Sequence, residues 1–236
     1  MKKESYVRHR DLESRHFWFV GLHELALAHL PSGKNLRVLD AGCGTGGLLS
    51  LLSGRAEAVG IDFSEEALRL CRERGLQNTE QEDLNAWRPP SEAFDAITSL
   101  DVLCHRGVGS IEDVLKKFHT ALKPGGLLII NLPAFEILRR GHDAEVETKR
   151  RFRKKELADL LDGAGFGIER ITYRLPVLFP VLLVRGGTKQ ESRDLHMPPA
   201  FLNRALLGMH RLENRWICRG GTIPFGSSLF AAARKK

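Results

Sequence analysis

One stretch constrains the fold more than any other. Leu36–Leu39 reads as a short apolar strand ending at Asp40, and Gly42-Cys43-Gly44-Thr45-Gly46-Gly47 as a glycine-rich turn opening a helix through about Leu52. Glycines let the backbone turn sharply and approach a ligand closely, and a helix start offers free N–H groups at its positive end. The same rhythm continues downstream. Ala58–Ile61 reads as a second strand ending at Asp62, and Ser64 as the N-cap of a helix burying Ala67, Leu68 and Cys71 before Gly75. Residues 78–82 suit a short edge strand and Ala96–Leu100 an apolar one. Ile111–Leu122 reads as a helix stopped by Pro124-Gly125-Gly126, with Leu127–Asn131 a strand after it. A helix over Lys154–Leu161 and a strand over 167–173 complete the series. Strands alternating with helices predict an α/β fold with a parallel sheet covered on both faces.

Two regions break the rhythm. Residues 1–33 read as a helical cap, with an amphipathic helix from Phe17 to Leu30. Residues 175–225 read as an insertion: an apolar Leu175–Arg185, a loop over Gly186–Leu195, and a helix over Pro199–Ile217 with Leu202, Leu206, Met209, Leu212 and Trp216 at helical spacing. Ser228–Ala233 is then a final strand. The reading is a single domain over residues 1–236, its core formed by 34–174 and 226–236. At 236 residues, 42% hydrophobic and 28% charged, the chain has an ordinary globular composition. Its longest apolar stretch, Leu175–Val184, carries Pro176 and Pro180 and falls short of the about 20 residues a span needs. The four cysteines form no C-x-x-C pair, and no signal peptide is visible at the N-terminus. Reduced thiols in the cytoplasm are the expectation.

The glycine turn alone leaves its ligand open. Gly42, Gly44 and Gly47 satisfy G-x-G-x-x-G, and Asp62 follows Gly42 by 20 residues, so a nicotinamide or flavin enzyme fits as well. Three features point elsewhere. Asp40 sits at the strand end, where a carboxylate repels a pyrophosphate but suits a cationic amino or sulfonium group. Asp83-Leu84 follows the third strand, where an adenine edge could bind. Lys123-Pro124-Gly125-Gly126 precedes a strand, and the chain ends on one extra strand after the sixth.

Together these stretches resemble class I S-adenosylmethionine-dependent methyltransferases. Val38–Gly46 resembles their V-L-D-x-G-C-G-x-G signature, Asp62 the acidic end of their second strand, and Glu82-Asp83-Leu84 their adenine-contacting turn. Phe94–Ile97, continuing to Asp101–His105, resembles their fourth strand and its loop, and Leu122–Gly126 the turn before their fifth. The resemblance implies a three-layer Rossmann-like sheet of seven strands with the last antiparallel, and S-adenosylmethionine as cofactor. It implies that Asp62, with Phe63 beside it, meets the ribose, and that Asp83 and the Leu84 backbone hold adenine. Gly42, Cys43, Gly44 and Gly46 would pack against the methionine part with Asp40 near its amino group, and Leu100 and Asp101 would line the sulfur side.

Methyl transfer from an activated donor relies on positioning, and a base is needed only for a protonated, weakly nucleophilic acceptor. His105 after the fourth strand and His142 after the fifth are the candidates, each with a plain structural alternative. Some relatives carry Glu where Cys104 stands and bind a metal there, so no metal is expected. His142-Asp143, followed by Arg150-Arg151-Phe152, resembles the H-D…R-R-[YF] pattern of one bacterial branch, with Thr148 where that branch has a second histidine. His16-Phe17-Trp18-Phe19 resembles its aromatic helix start, read as packing ahead of a lid over the site. Lys149–Lys155 holds six basic residues in seven, either a solvated helix start or an attraction for an anionic acceptor or lipid head group.

The net charge of +7 is unevenly spread. Residues 1–100 carry 12 basic and 15 acidic residues, and residues 101–236 carry 24 and 14. The excess lies in the half expected to supply the acceptor side, so no nucleic-acid partner is expected. A small-molecule or lipid-linked acceptor is, with peripheral membrane contact open. A nicotinamide-dependent oxidoreductase and a non-catalytic cofactor-binding partner protein remain the rival readings.

Overall fold

The computed structural model describes residues 3–33, 35–184 and 196–236, apart from the side chains of residues 3–5 and of His142. Its seven strands are β1 (Arg37–Ala41), β2 (Glu57–Asp62), β3 (Thr79–Gln81), β4 (Phe94–Leu100), β5 (Leu122–Pro133), β6 (Phe166–Arg174) and β7 (Ser228–Lys235). They form one sheet in the order β3-β2-β1-β4-β5-β7-β6. β1 to β5 pair in parallel, and β7 slots between β5 and β6 antiparallel to both. The strand order reverses between β1 and β4, the point at which open α/β sheets leave a crevice at their C-terminal edge.

Side-chain alternation along the strands builds the three layers. Leu128 and Ile130 of β5 point to one face, where α5 (Ile111–Ala121) and α7 (Lys154–Gly163) bury Val114, Phe118, Leu157 and Leu161. Leu127 and Ile129 point to the other, against α2 (Phe17–His29), α3 (Gly47–Leu52) and α9 (Ala200–Cys218) through Leu25, Leu48 and Ile217. α4 (Glu65–Glu73) starts where the Ser64 side chain accepts from the Ala67 N–H at 3.3 Å, as its sequence predicts. α1 (Lys3–Leu12) lies against α4, and two short helices, α6 (Gly141–Glu145) and α8 (Leu178–Val184), follow β5 and β6.

Two details differ from the expectation. β5 begins at Leu122, not Leu127, because Leu122 already pairs with Phe94 and the Lys123–Gly126 turn is carried as an irregularity in the β4–β5 register. Gly125, at φ +72°, supplies the bend, and its carbonyl accepts from Arg234 at 2.8 Å. The apolar Leu175–Val184 stretch buries Leu175 and is helical from Leu178, with Pro180 tolerated in the first turn, and the helix itself buries no residue fully. The loop read over Gly186–Leu195 lies outside the described residues.

The cap and the insertion are joined to each other and to the sheet. α9 crosses α2 so closely that a Cβ at Gly21 would sit 1.7 Å from His210 Nδ1. Asn214 donates to the Gly21 carbonyl at 2.7 Å, and Arg211 pairs with Glu24 at 2.7 Å. Under this crossing Arg174 is fully buried at the end of β6. Its Nε lies 3.8 Å from Glu213 of α9, and its Nη1 donates to Asn131 Oδ1 at 3.2 Å. Glu213 also accepts from the Leu175 N–H at 3.0 Å. Removing one partner of a buried ion pair strands the other charge. Glu213→Leu is therefore expected to cost about 3–5 kcal/mol in urea denaturation, with much of the loss recovered in an Arg174→Met/Glu213→Leu double variant.

Candidate active site

At the β1/β4 reversal the chain encloses a cavity of about 680 Å³. One half of its wall is the set of residues that the glycine signature marks. Asp62 organises it. Its Oδ2 accepts from the Gly44 N–H and its Oδ1 from the Ser64 N–H, both at 2.9 Å, tying the loop after β1 to the loop after β2. Burial pushes its carboxyl pKa up, and the two N–H donors counter this. Each oxygen keeps a second lone pair for a hydroxyl.

The glycines have separate reasons. A Cβ on Gly42 would fall 2.3 Å from Val102, and Gly42 stands at φ +82°. Gly44, at φ +54°, has no atom within 4 Å of its would-be Cβ, leaving open backbone facing the cavity. Gly46 departs from expectation. It does not line the cavity; its missing side chain lets Leu76 and Cys71 pack at 2.5 and 3.0 Å from the Cβ position. Cys43 lines the wall, half-turned against Leu49 and Cys71.

Asp40 is buried at the strand end and accepts from Thr98 Oγ1 at 2.7 Å. Burial, with the charges of Glu13 and Asp62 adding to it, pushes its pKa up to about 7. Glu13 is a member that the sequence did not announce. It accepts from Thr45 Oγ1 and from Arg74, both at 2.8 Å, and would lie 2.7 Å from a Cβ on Gly47. The start of α3 is thus covered by the protein's own carboxylate. With Asp40 beside it, this corner rejects a pyrophosphate and suits an ammonium.

Along the adenine side, Asp83 Oδ1 accepts from the Asn85 backbone N–H at 2.9 Å and from its amide at 2.7 Å. Asn85 in turn bridges to Gly107 and Gly109 of the loop after β4. Leu84 lines the wall beside it, and Phe63 is half exposed with its ring 5.7 Å from that of His105. His105 Nδ1 accepts from the Gly107 N–H at 3.0 Å and Nε2 lies 3.6 Å from Glu147. The imidazole is therefore held by its own loop, and burial lowers its pKa.

Leu100 and Asp101 border the centre of the cavity. Asp101 adopts φ +59°, in the left-handed region that aspartate enters more readily than most side chains. Both its oxygens meet Asn131 Nδ2 at 3.0 Å, so it joins the buried chain running through Arg174 to Glu213. Burial pushes its pKa up to about 7. Cys104 is buried with its thiol on the Asp101 carbonyl at 3.3 Å.

The other half of the wall is apolar and aromatic. His16, Phe17, Trp18 and Phe19 line it, where packing had been the favoured reading, and Leu178 and Val181 of α8 with Leu206 of α9 face it too. His16 caps α2 by accepting from the Trp18 N–H at 3.2 Å. Burial lowers the pKa of both His16 and His23 to about 4, so these two imidazoles are neutral at neutral pH. Tyr6 lines the cavity from α1, a second member the sequence did not announce. Also lining the cavity, Asp143 and Arg151 form a largely buried two-point pair, Nε–Oδ1 and Nη2–Oδ2 each at 3.0 Å. This explains two residues of the H-D…R-R-F pattern; Phe152 is the third, fully buried under Arg150 at 4.6 Å. His142 lies on α6 next to Asp143, and its side chain is outside the described residues. Within the basic run, Arg151, Arg150 and Lys155 are paired with Asp143, Glu156 and Asp159.

A family model described as a methyltransferase domain matches residues 6–171. The chain belongs to that family and carries a class I S-adenosylmethionine-dependent methyltransferase domain. A trans-aconitate 2-methyltransferase from Paracidovorax citrulli is 40% identical over 117 residues, covering 47% of this chain and 44% of that protein. The chain thus matches less than half the length of that relative. A malonyl-[acyl-carrier protein] O-methyltransferase from Enterobacter lignolyticus is 24% identical over 95% of this chain and 90% of its own. The crystal structure of an S-adenosylmethionine-dependent methyltransferase from Mesorhizobium loti superposes with a TM-score of 0.63 at 20% identity, covering 90% of this chain and 96% of that one. The dinucleotide alternative falls with this membership.

The donor set fits the cofactor: a carboxylate with lone pairs for a ribose, an open backbone at Gly44, and two buried carboxylates for an ammonium. Two outcomes follow. Asp62→Ala is expected to weaken S-adenosylhomocysteine binding by about 1–3 kcal/mol in calorimetry. The ionised form of Asp40 is the one that pairs with an ammonium, and below about pH 7 it is progressively protonated. Affinity should therefore fall as pH drops through about 7, by up to about tenfold per unit, and Asp40→Asn should flatten the profile.

Proposed function

We propose that the protein methylates a small or lipid-linked acceptor with an apolar body, using S-adenosylmethionine. The observation that carries this is the division of one cavity into two unlike halves. The half with Asp40, Gly44, Asp62 and Asp83 matches the donor. Phe17, Trp18, Phe19, Val181 and Leu206, from the cap and the insertion, supply an apolar wall, with Arg140 and the Asp143–Arg151 pair lining the cavity as well. When bound, the cofactor supplies an electrophilic methyl on sulfur. Asp62 and Asp83 then hold the nucleoside, while Asp40 and Glu13 receive the amino group. The aromatic wall excludes water from the acceptor and aligns it, and alignment with desolvation supplies much of the rate in a displacement of this kind.

An acceptor that must lose a proton needs a base near the junction of the halves. His142 on α6 is the candidate kept from the sequence, and Asp101, at the junction itself, is the second. His105 is a positioning residue in this reading, since Gly107 and Glu147 hold it. A relative named for O-methylation supports an oxygen acceptor. No helix among the described residues is long and apolar enough to cross a membrane. The four cysteines are free, three of them buried, which supports a reducing, cytoplasmic setting.

The decisive experiment offers radiolabelled S-adenosylmethionine and the protein to fractionated cell extract. Label is expected in the small-molecule or organic-solvent fraction; label in protein or nucleic acid would refute the reading. With that acceptor, His142→Ala and Asp101→Asn should each lower turnover by about 10²–10⁴-fold if they act on the proton, with S-adenosylhomocysteine affinity unchanged for His142→Ala.

A further inference from the structure

Among the described residues the outer face of α9 is left exposed, with Trp216 Nε1 donating to the Thr222 carbonyl at its far end. Leu202, Ala205, Met209, Leu212 and Trp216 recur at alternating three- and four-residue spacing, which sets them on one stripe of the helix. All five are exposed, Leu212 at 64% and Trp216 at 58%, and Phe201 at 73% borders the stripe. A core helix would bury such a stripe. Here the buried face is a different one, carrying His210, Asn214 and Ile217 against α2 and the sheet. Contiguous exposed apolar surface on this scale marks an interaction site.

Charge selects the occupant. Arg204, Arg215 and Arg219 lie along the flank of the stripe away from the core, and none has an acidic partner among the described residues. The acid of the helix, Glu213, is turned inward to Arg174 and Leu175, and Arg211 is taken by Glu24. An apolar stripe beside a row of unneutralised arginines is the pattern of a helix lying in the interface of an anionic bilayer. A second copy of the chain would bring the same arginine row to the contact with no exposed acid of α9 to meet it. On the other flank the stripe runs into Leu206, a neighbour of Leu202 and Met209 on the helix surface, and Leu206 lines the cavity. α8, on the same cavity wall, leaves Val184 at 87% and Val181 at 46% exposed.

We propose that the outer face of α9 docks on an anionic lipid surface, with the apolar half of the cavity opening beside it. Vesicle binding is read without turnover, so it stands or falls separately from the methyl acceptor. The test is co-sedimentation of the full chain with phosphatidylcholine vesicles, with and without phosphatidylglycerol, at low and high salt. Binding is expected on the anionic vesicles and to weaken with salt. Arg204→Gln/Arg215→Gln/Arg219→Gln should reduce it by roughly fivefold per arginine. Leu212→Glu/Trp216→Glu should reduce it by more than about tenfold. Both variants lie off the cavity wall and should keep S-adenosylhomocysteine affinity, which confirms that they fold. No binding to either vesicle, equal binding with and without phosphatidylglycerol, or binding that survives both variants overturns the proposal. Self-association on size-exclusion light scattering that Leu212→Glu abolishes, without vesicle binding, gives the face to a second copy of the chain instead.

Discussion

The carboxylate of Asp62 holds together the two loops on which the site depends. Each of its oxygens accepts a backbone N–H, one from Gly44 after β1 and one from Ser64 after β2. Parallel strands deliver their loops to the same edge, but nothing in the strand ladder specifies the shape of those loops. A buried acceptor that must be satisfied does specify it. Gly42 and Gly44 can comply because they tolerate positive φ, and the Gly42 turn has no room for a Cβ beside Val102. The same carboxylate keeps lone pairs free toward the cavity, so the group that shapes the loops also presents acceptors to whatever fills it.

A second buried chain couples the site to the added helices. Asp101 meets Asn131, Asn131 meets Arg174, and Arg174 faces Glu213 of α9. These groups are drawn from the end of β4, from β5, from β6 and from the insertion, so the left-handed backbone at Asp101 is held by four elements at once. The elevated pKa values of Asp40 and Asp101 come from the same source, removal of carboxylates from water at the strand-order reversal. Burial thus favours the neutral form of both carboxyls, and a cation placed beside either would draw it back to the ionised form.

Much of the donor half was legible along the chain because its residues are local: a strand end, a glycine turn, an acid 20 residues on, an Asp-Leu after the third strand. Gly46 does not line the cavity, and the residues around it account for the glycine there. A glycine needed for packing against Leu76 and Cys71 looks the same in sequence as one that faces a ligand. Glu13 and Tyr6 were missed because they come from a helical segment that returns over the turn from some 30 to 60 residues away, with no local pattern to announce it. The aromatic run at His16–Phe19 was visible, but whether those rings pack inward or wall a cavity depends on where α2 meets α9.

Residue order by itself determined the class of fold, the edge of the sheet where the site lies, and the chemistry of the donor side. Those rest on periodicity, turn chemistry and short spacing, which a chain carries without being folded. Tertiary structure decided which glycines line the cavity, how the basic run pairs with Asp143, Glu156 and Asp159, and where the aromatic wall of the cavity lies. It also decided that the apolar stripe of α9 faces outward. A helical spacing names a stripe, but only packing against α2 and the sheet shows which stripe is buried. Here the buried one is the polar-edged face through His210, Asn214 and Ile217, because the close crossing at Gly21 and the partners of Glu213 and Asn214 lie on that side.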